Sequence, residues 1–293
     1  MMLKLWMARL LRLFPNQAER NLMVPFQYVH KKVDLIVDTG VKPTPISLYY
    51  PAAPDGKRFP VYMNMHGGAF IMNEKRMDDP YCRFLANETG CVIVNVDYAK
   101  APEYPFPKPV EQCYEIYQWL KAHAEELHLD HGQMMVGGQS SGGNMAAALC
   151  LLLKERSERQ PLLQVLSYPV LDFVTPHGDK PEPDKWRAKY PEAAHFLNYC
   201  YVPEKNQAKH PLASPVKAEK VDGLARALFI IPEYDAFTME GKAYAEKLKQ
   251  AGVDVDVHVF EGCSHAFTHQ GPRDQAEEAW RMIAKTMREV TES

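Results

Sequence analysis

Ser140 has the sequence surroundings of an enzyme nucleophile. It lies at the centre of residues 138–142, GQSSG, which fit the pattern G-x-S-x-G. A predicted strand at 134–136 leads into this segment and a predicted helix at 145–156 leads out, the context in which such a serine is exposed on a tight turn. The flanking glycines suit a turn in which side chains two residues to either side would collide. We therefore predict that Ser140, and not Ser141, is a nucleophile; the alternative is an ordinary turn.

A serine nucleophile needs a base, and His265 is the best placed histidine. When a serine occupies such a turn, the acid and then the histidine follow it along the chain. His265 comes directly after the strand predicted at 253–260, whereas His258 lies inside that strand. His269, four residues further on, is the fallback. We predict His265 as the general base; the alternative is a solvated loop histidine.

The acid that orients this base is predicted to be Asp235. It follows the strand predicted at 227–231, and one predicted helix and one predicted strand separate it from His265. This arrangement brings both loops to the same edge of a parallel sheet. Glu233 is a competing carboxylate and Asp172 a weaker one, and Asp235 itself has the alternative role of a helix cap.

Three small residues, Gly67, Gly68 and Ala69, follow the strand predicted at 61–65. Without bulky side chains, their backbone N–H groups are able to approach a developing oxyanion, and each such donor is worth about 3–4 kcal/mol in a transition state. The N–H of Ser141 would supply the remaining donor. An ordinary glycine turn is the alternative, but its pairing with the serine motif favours an oxyanion hole.

The rest of the chain alternates strands with helices, which predicts an α/β fold with a mostly parallel sheet covered on both faces. The predicted strands are 61–65, 91–96, 134–136, 163–167, 227–231 and 253–260. The predicted helices are 77–88, 110–127, 145–156, 239–250 and 280–290.

Residues 173–215 interrupt this alternation with prolines and aromatic residues, and the segment is too long for a plain connection. We predict an inserted helical cap. Within residues 1–14, apolar residues at helical spacing predict an amphipathic helix ended by Pro15, which packs on the protein or lies on a membrane surface. The stripe consists of Leu3, Met7, Leu10, Leu11 and Phe14. We therefore expect one domain, 1–293, with a cap formed by about 1–45 and 173–215.

The composition excludes several classes of protein. The chain has 293 residues, of which 46% are apolar and 24% charged, and a formal net charge of −3. This near balance argues against a nucleic-acid partner. No apolar run approaches the ~20 residues of a membrane span, which argues against stable membrane insertion. Because Lys4, Arg9 and Arg12 interrupt the first apolar segment, no signal peptide is predicted and a cytoplasmic location is expected.

The six cysteines show no C-x-x-C or C-x-x-H spacing. In a chain of this length they are predicted to be reduced and mostly buried, and no metal site is expected. Cys263, two residues before His265, is the exception and is predicted to be a thiol of the pocket wall.

Several ordered motifs together resemble the hormone-sensitive-lipase-like family of α/β-hydrolase carboxylesterases, from about residue 61 to the C-terminus. They are HGGAF at 66–70 for the family's H-G-G-G-F, DYAKAPE with PFP at 97–107 for D-Y-R-L-A-P-E and P-F-P, GQSSGGN at 138–144 for G-D-S-A-G-G-N, YPVLD at 168–172, ASP at 213–215, and DAFTMEG at 235–241 for D-P-L-R-D-E-G.

The resemblance implies an α/β-hydrolase fold with a helical cap and a serine carboxylesterase that uses no metal or organic cofactor. It also implies the same site: a triad of Ser140, Asp235 and His265, an oxyanion hole made by the N–H groups of Gly68, Ala69 and Ser141 with Gly67 shaping the loop, and structural roles for His66 and Glu103. The expected partner is a small-molecule ester, and a homodimer is possible.

Three positions depart from the family pattern. Ala69 replaces the third glycine, which should cost little unless that residue needs a positive φ. Gln139 replaces the acid beside the nucleophile, and Ser141 replaces an alanine. The last two changes put the substrate range in question, but not the triad.

The expected reaction is hydrolysis of short-acyl esters through an acyl-enzyme. Two alternatives within the same chemistry are deacetylation of acetylated saccharides and hydrolysis of aryl formamides. A third is a non-catalytic receptor for a small ligand, but relatives of that kind lose the triad histidine, and His265 is present here.

Overall fold

The computed structural model describes residues 2–12, 21–52, 56, 58–72 and 74–292, and their side chains except those of residues 2–5, 186 and 187. Pro15, the predicted end of the first helix, lies outside the described residues, as does Phe14. Among the described residues, none of the helices combines the length and the apolar character needed to cross a membrane.

Eight strands form one sheet in the order β1-β2-β4-β3-β5-β6-β7-β8. β1 and β2 are antiparallel, as are β2 and β4, and every other neighbouring pair is parallel. In chain order the strands are β1 (Lys31–Val37), β2 (Thr44–Tyr50), β3 (Phe59–Met65), β4 (Val92–Val96), β5 (Leu129–Gln139), β6 (Leu163–Ser167), β7 (Arg226–Tyr234) and β8 (Val255–Ser264). The predicted α/β class with a mostly parallel sheet is confirmed.

The helices connect and cover these strands. They are α1 (Met2–Arg12), α2 (Asp79–Thr89), α3 (Lys108–Ala122), α4 (Ser141–Glu155), α5 (Lys185–Lys189), α6 (Pro191–Tyr201), α7 (Thr238–Gln250), α8 (Phe267–Gln270) and α9 (Arg273–Glu292). The eleven strands and helices predicted from periodicity are all present, with the largest differences at the start of α9, at the start of β5 and at the end of α3.

Alternation along the strands divides the core into two layers. On β3, Val61, Met63 and Met65 face one apolar cluster, which includes α3, α4 and α7. Tyr62 faces the other cluster, which includes α2 and α9. Strands buried on both faces have nearly continuous runs of apolar residues. Such runs are the reason that these strands could be predicted from the sequence.

The centre of the sheet contains a reversal of chain order. From β3 the chain proceeds to β4 on one side, and β5 then lies on the other side of β3. In parallel α/β sheets, ligands bind outside the carboxyl ends of the strands at such a point. His66 follows β3 and Ser140 follows β5, so the predicted site lies at this crevice.

The predicted cap range needs a correction at its N-terminal part. Residues 31–37 form β1, which pairs along its whole length with β2, so this part of the predicted range 1–45 belongs to the sheet. The strand was not predicted, because Lys31, Lys32 and Asp34 interrupt its apolar residues and its position at the sheet edge leaves most of it exposed or half-buried.

The first helix packs on the protein through only part of the predicted stripe. Among the described side chains of that stripe, Leu11 is half-buried and Met7 and Leu10 are exposed, whereas Ala8, outside the stripe, is fully buried. Arg12 donates to both carboxylate oxygens of Glu103, at 2.9 and 2.7 Å, and to two loop carbonyls. A polar clamp at the end of the helix therefore holds it, and Glu103 has the structural role implied by the resemblance.

Candidate active site

Ser140 stands at a strained turn between β5 and α4. Its φ is 54° and its ψ is −112°, a backbone conformation that costs an L residue of order 1–3 kcal/mol. Its N–H donates to the carbonyl of Ser167 at 2.8 Å, and its own carbonyl accepts from the N–H of Asn144 at 3.1 Å. The hydrogen bonds to β6 and α4 keep the serine in this conformation.

The glycines around Ser140 are required by the neighbouring strand. A Cβ added at Gly138 or at Gly142 would lie 2.2 or 1.8 Å from the carbonyl oxygen of Met65. Met65 ends β3, which is hydrogen-bonded to β5, so the obstacle is backbone that the sheet holds in place. The sequence predicted a collision within the turn; the closest obstacle for both positions belongs instead to β3.

We expect Gly142→Ala to lower the thermal midpoint by about 5–10 °C, or to prevent folding, because backbone atoms must move to admit the methyl group. Gly241→Ala is the matched control. Gly241 is also helical, and an added Cβ there would meet only the side chain of Ile231, at 3.3 Å. Thermal unfolding of both variants checks this, and a Gly142→Ala protein as stable as the control would contradict it.

The structure brings the predicted nucleophile, base and acid into one hydrogen-bonded chain. Nε2 of His265 lies 3.0 Å from Oγ of Ser140, and Nδ1 lies 2.7 Å from Oδ2 of Asp235. With Nδ1 protonated and donating to the carboxylate, Nε2 accepts from the serine hydroxyl, the arrangement a general base needs. The Asp235 side chain is 1% exposed, so water competes little for its contact with the imidazole.

Two aromatic rings hold the imidazole of His265 in place. Tyr168 and Phe237 both pack edge-on, with ring centroids 5.1 and 5.2 Å from it. Sequence reasoning did not single out either residue. Their positions in the chain could have indicated them, because Tyr168 directly follows β6 and Phe237 lies two residues after Asp235.

The competing residues are held elsewhere. Oε2 of Glu233 accepts the N–H of Gly262 at 2.9 Å and the residue is exposed. Asp172 accepts the backbone N–H of Val174 at 2.7 Å, and Nε2 of His269 contacts Asp78 at 2.9 Å. Neither carboxylate contacts His265 among the described hydrogen bonds.

The predicted oxyanion loop lies against the serine turn. A Cβ on Gly67 would be 3.1 Å from the carbonyl oxygen of Gln139, so the two backbones approach closely. Gly68, with φ 137°, and Ala69, with φ 51°, line the same cavity as Ser140. Ala69 therefore has the positive φ at which alanine in place of glycine is unfavourable. The left-handed conformation of an alanine costs about 1 kcal/mol in free energy.

Ser141 is the first residue of α4 and directly follows Ser140. It is fully buried, and its hydroxyl lies 3.3 Å from the hydroxyl of Tyr98. Its side chain thus contacts the scaffold, while its backbone follows Ser140 at the position expected of an oxyanion-hole donor.

His66 is part of the scaffold beneath the loop. Its ring is buried, stacks on Tyr98 at 4.4 Å, and has Nδ1 2.7 Å from the carbonyl oxygen of Gly67. Burial alone would raise the pKa of Asp97, but contacts with His66 and Lys100 outweigh it and hold that pKa below its usual value. Nε2 of His66 lies 3.5 Å from Oδ1 of Asp97, and the buried, stacked ring agrees with the structural role implied for His66.

A cavity of about 410 Å³ opens over the serine and the histidine. Residues of the 173–215 segment form one wall: His177, Tyr190, Ala193, Ala194, Leu197 and Asn198. Tyr201 connects this segment with the predicted oxyanion loop, because its ring stacks on that of Phe70 with the centroids 3.6 Å apart. Most of the cavity surface is apolar, with polar groups concentrated around Ser140 and His265 and at the wall.

Within the described part of the chain, no three His, Cys, Asp or Glu side chains are grouped as metal ligands.

Comparisons with known proteins point to one group of enzymes. A family model described as alpha/beta hydrolase fold matches residues 62–269. The chain is 30% identical to an arylesterase of Saccharolobus solfataricus over 253 residues, 83% of this chain and 79% of that protein. It is also 30% identical to an ethyl acetate hydrolase of Pseudomonas putida, over 84% of this chain and 78% of that protein.

Solved structures agree with these relatives. A hyperthermophilic esterase from the archaeon Pyrobaculum calidifontis is 29% identical with a TM-score of 0.82, over 98% of this chain and 90% of that one. The thermostable carboxylesterase EstE1, cloned from a metagenomic library, is 27% identical with a TM-score of 0.85, over 98% of this chain and 97% of that one.

Proposed function

Because the chain belongs to the hormone-sensitive-lipase-like family of α/β-hydrolases, we propose that it is a serine carboxylesterase that hydrolyses small, short-acyl esters through an acyl-enzyme. The observation that carries the proposal is the chain of contacts from Asp235 through His265 to Ser140. A non-catalytic receptor would have no need of this alignment.

The proposed reaction has two halves. Oγ of Ser140 attacks the ester carbonyl while Nε2 of His265 takes its proton, and the oxyanion forms beside the N–H groups of Gly68, Ala69 and Ser141. Asp235 stabilises the imidazolium. The C–O bond to the alcohol then breaks as His265 returns the proton to the leaving oxygen. Water, deprotonated by His265, attacks the acyl-enzyme and releases the acid and the free serine.

The cavity supports a small substrate. At about 410 Å³ it is near the lower end of the range for small-molecule sites, and one wall comes from the 173–215 segment. We propose that this segment, together with α1, acts as the cap. Its buried Lys180 anchors it to the main body, with Nζ 2.5 Å from Oε2 of Glu240. A wall held in this way limits the length of the acyl chain.

The test is an acyl-chain series of p-nitrophenyl esters from acetate to laurate, with aryl formamides and acetylated saccharides in parallel. We expect kcat/KM to be highest for the short esters and to fall at least about tenfold at laurate, a loss of about 1.4 kcal/mol in transition-state binding. A covalent alkylphosphonate, located by mass spectrometry, should label Ser140. Faster turnover of the formamide or the saccharide would favour those alternatives, and labelling elsewhere would contradict the nucleophile.

A further inference from the structure

A second buried acid–base pair lies beside the site and has no part in the reaction proposed above. Asp78 and His269 have side chains that are 1% and 4% exposed, and Oδ1 of the carboxylate is 2.9 Å from Nε2 of the imidazole. Burying a carboxylate costs free energy unless it is paired and hydrogen-bonded. Oδ2 of Asp78 accepts from Nδ2 of Asn64 at 2.7 Å, so both oxygens have partners.

This pair is connected to the catalytic imidazole by two hydroxyl groups. Nδ1 of His269 lies 3.0 Å from Oγ1 of Thr268, which in turn is hydrogen-bonded to the hydroxyl of Tyr168. The ring of Tyr168 packs edge-on against His265. Burial raises the pKa of Tyr168 well above its usual value, so its hydroxyl stays protonated and is able to donate.

The hydrogen bonds have one consistent direction. With a neutral His269 whose Nε2–H donates to Asp78, Nδ1 accepts from Thr268, and the Thr268 hydroxyl in turn accepts from Tyr168. Each group then donates once along the chain, and the series ends on a carboxylate. Charge-assisted hydrogen bonds of this kind are stronger than neutral ones, and a low-dielectric interior strengthens the whole chain.

The same network reaches the nucleophile from the other side. Oδ1 of Asn64 accepts from Nε2 of Gln139 at 3.2 Å, and Gln139 directly precedes Ser140. Asp78 thus connects the peptide before the nucleophile with the ring that packs on the base. In addition, Thr268 and His269 belong to α8, which begins two residues after His265.

We propose that the Asp78–His269 pair, acting through Thr268 and Tyr168, is a positioning element that keeps the imidazole of His265 aligned with Ser140. The inference rests on the proposed esterase function. Neither residue of the pair reacts with substrate. The pair fixes the rotation of the Tyr168 ring and the path of α8, and misplacement of reacting groups by about 1 Å is enough to reduce turnover by up to about 100-fold.

The test compares Thr268→Val with Thr268→Ser. Valine keeps the shape and removes the hydroxyl, whereas serine keeps the hydroxyl. Turnover of p-nitrophenyl butyrate is measured per active serine, counted by titration with a p-nitrophenyl alkylphosphonate, so that unfolded protein does not contribute. We expect kcat to fall about tenfold in Thr268→Val with KM within about twofold, and Thr268→Ser to retain most of the wild-type kcat.

Gln164→Met is the control for lost stability alone. Gln164 is fully buried on β6, and its Nε2 donates to the carbonyl of Ala225, away from the site. We expect its kcat per active serine to equal that of wild type although its thermal midpoint falls. The proposal would be overturned if kcat fell as much in Gln164→Met as in Thr268→Val, or if it fell equally in both Thr268 variants. It would also be overturned if kcat fell in none of the three variants.

A second measurement uses Tyr168→Phe and the double variant Tyr168→Phe/Thr268→Val. If Thr268→Val fails to fold, Tyr168→Phe alone tests the proposal. If both hydroxyl groups act in one chain, Tyr168→Phe alone lowers kcat about tenfold and the double variant loses little more. An unchanged kcat in Tyr168→Phe, or multiplied losses in the double variant, would count against the proposal. Failure of the esterase function itself is distinct, since wild type would then neither turn over the ester nor react with the phosphonate.

Discussion

Ser140→Ala is expected to reduce turnover of p-nitrophenyl acetate or butyrate by about 10⁴- to 10⁶-fold. The serine Oγ lies 3.0 Å from Nε2 of His265, and without it no acyl-enzyme forms. The residual rate would come from water activated by the same histidine and from the backbone donors of the loop. Initial rates on the purified variant, at substrate concentrations above and below KM, check this expectation.

The fold should survive this change. Only one hydroxyl is lost, and the hydrogen bonds that hold the turn are made by the backbone of Ser140, which alanine retains. Circular dichroism and the thermal midpoint serve as controls, and phosphonate labelling should disappear. Turnover at the level of wild type in a folded, unlabelled variant would refute the assignment of the nucleophile.

Asp235→Asn is expected to lower kcat by about 10⁴-fold with little change in structure. The carboxylate is buried and accepts the Nδ1 proton of His265 at 2.7 Å, which leaves Nε2 free to take the serine proton. A carboxamide removes the negative charge that stabilises the imidazolium. Its NH₂ group is also able to donate to Nδ1 and so favour the wrong tautomer. Steady-state kinetics of the variant on p-nitrophenyl butyrate measures the loss.

Glu233→Gln is the matched control, because it removes a carboxylate from the same end of β7. Glu233 is exposed and its carboxylate accepts the N–H of Gly262, a contact that a glutamine oxygen is able to replace. We expect its kcat to stay within about twofold of wild type. A larger loss in Glu233→Gln than in Asp235→Asn would mean that the wrong acid has been assigned.

The order of residues along the chain was sufficient to predict the groups that we propose as reacting ones. Ser140 and Asp235 follow apolar runs that are buried on both faces, and such runs can be recognised from sequence because burial on both faces excludes polar residues. His265 follows β8, an edge strand in which polar and apolar residues alternate. Parallel strands place their carboxyl ends at one edge. The three positions therefore follow from local pattern combined with a general rule of sheet topology.

Other features depended on contacts between distant segments. β1 is defined by its pairing with β2 and not by its own composition, since an edge strand tolerates charges such as those of Lys31 and Asp34. The left-handed conformation of Ala69 is likewise a product of the packed loop, because alanine alone would avoid it.

Sequence alone determined the alternating strands and helices that carry the site, and which serine, histidine and acid stand at strand ends, because periodicity and turn chemistry are local. Only the tertiary structure decided that His269 pairs with Asp78 while His265 meets Ser140 and Asp235. It also decided that the carbonyl of Met65 excludes any side chain at Gly142. The physical reason is that hydrogen bonds and collisions act over a few ångströms in space, and the residues concerned are separated by long stretches of chain.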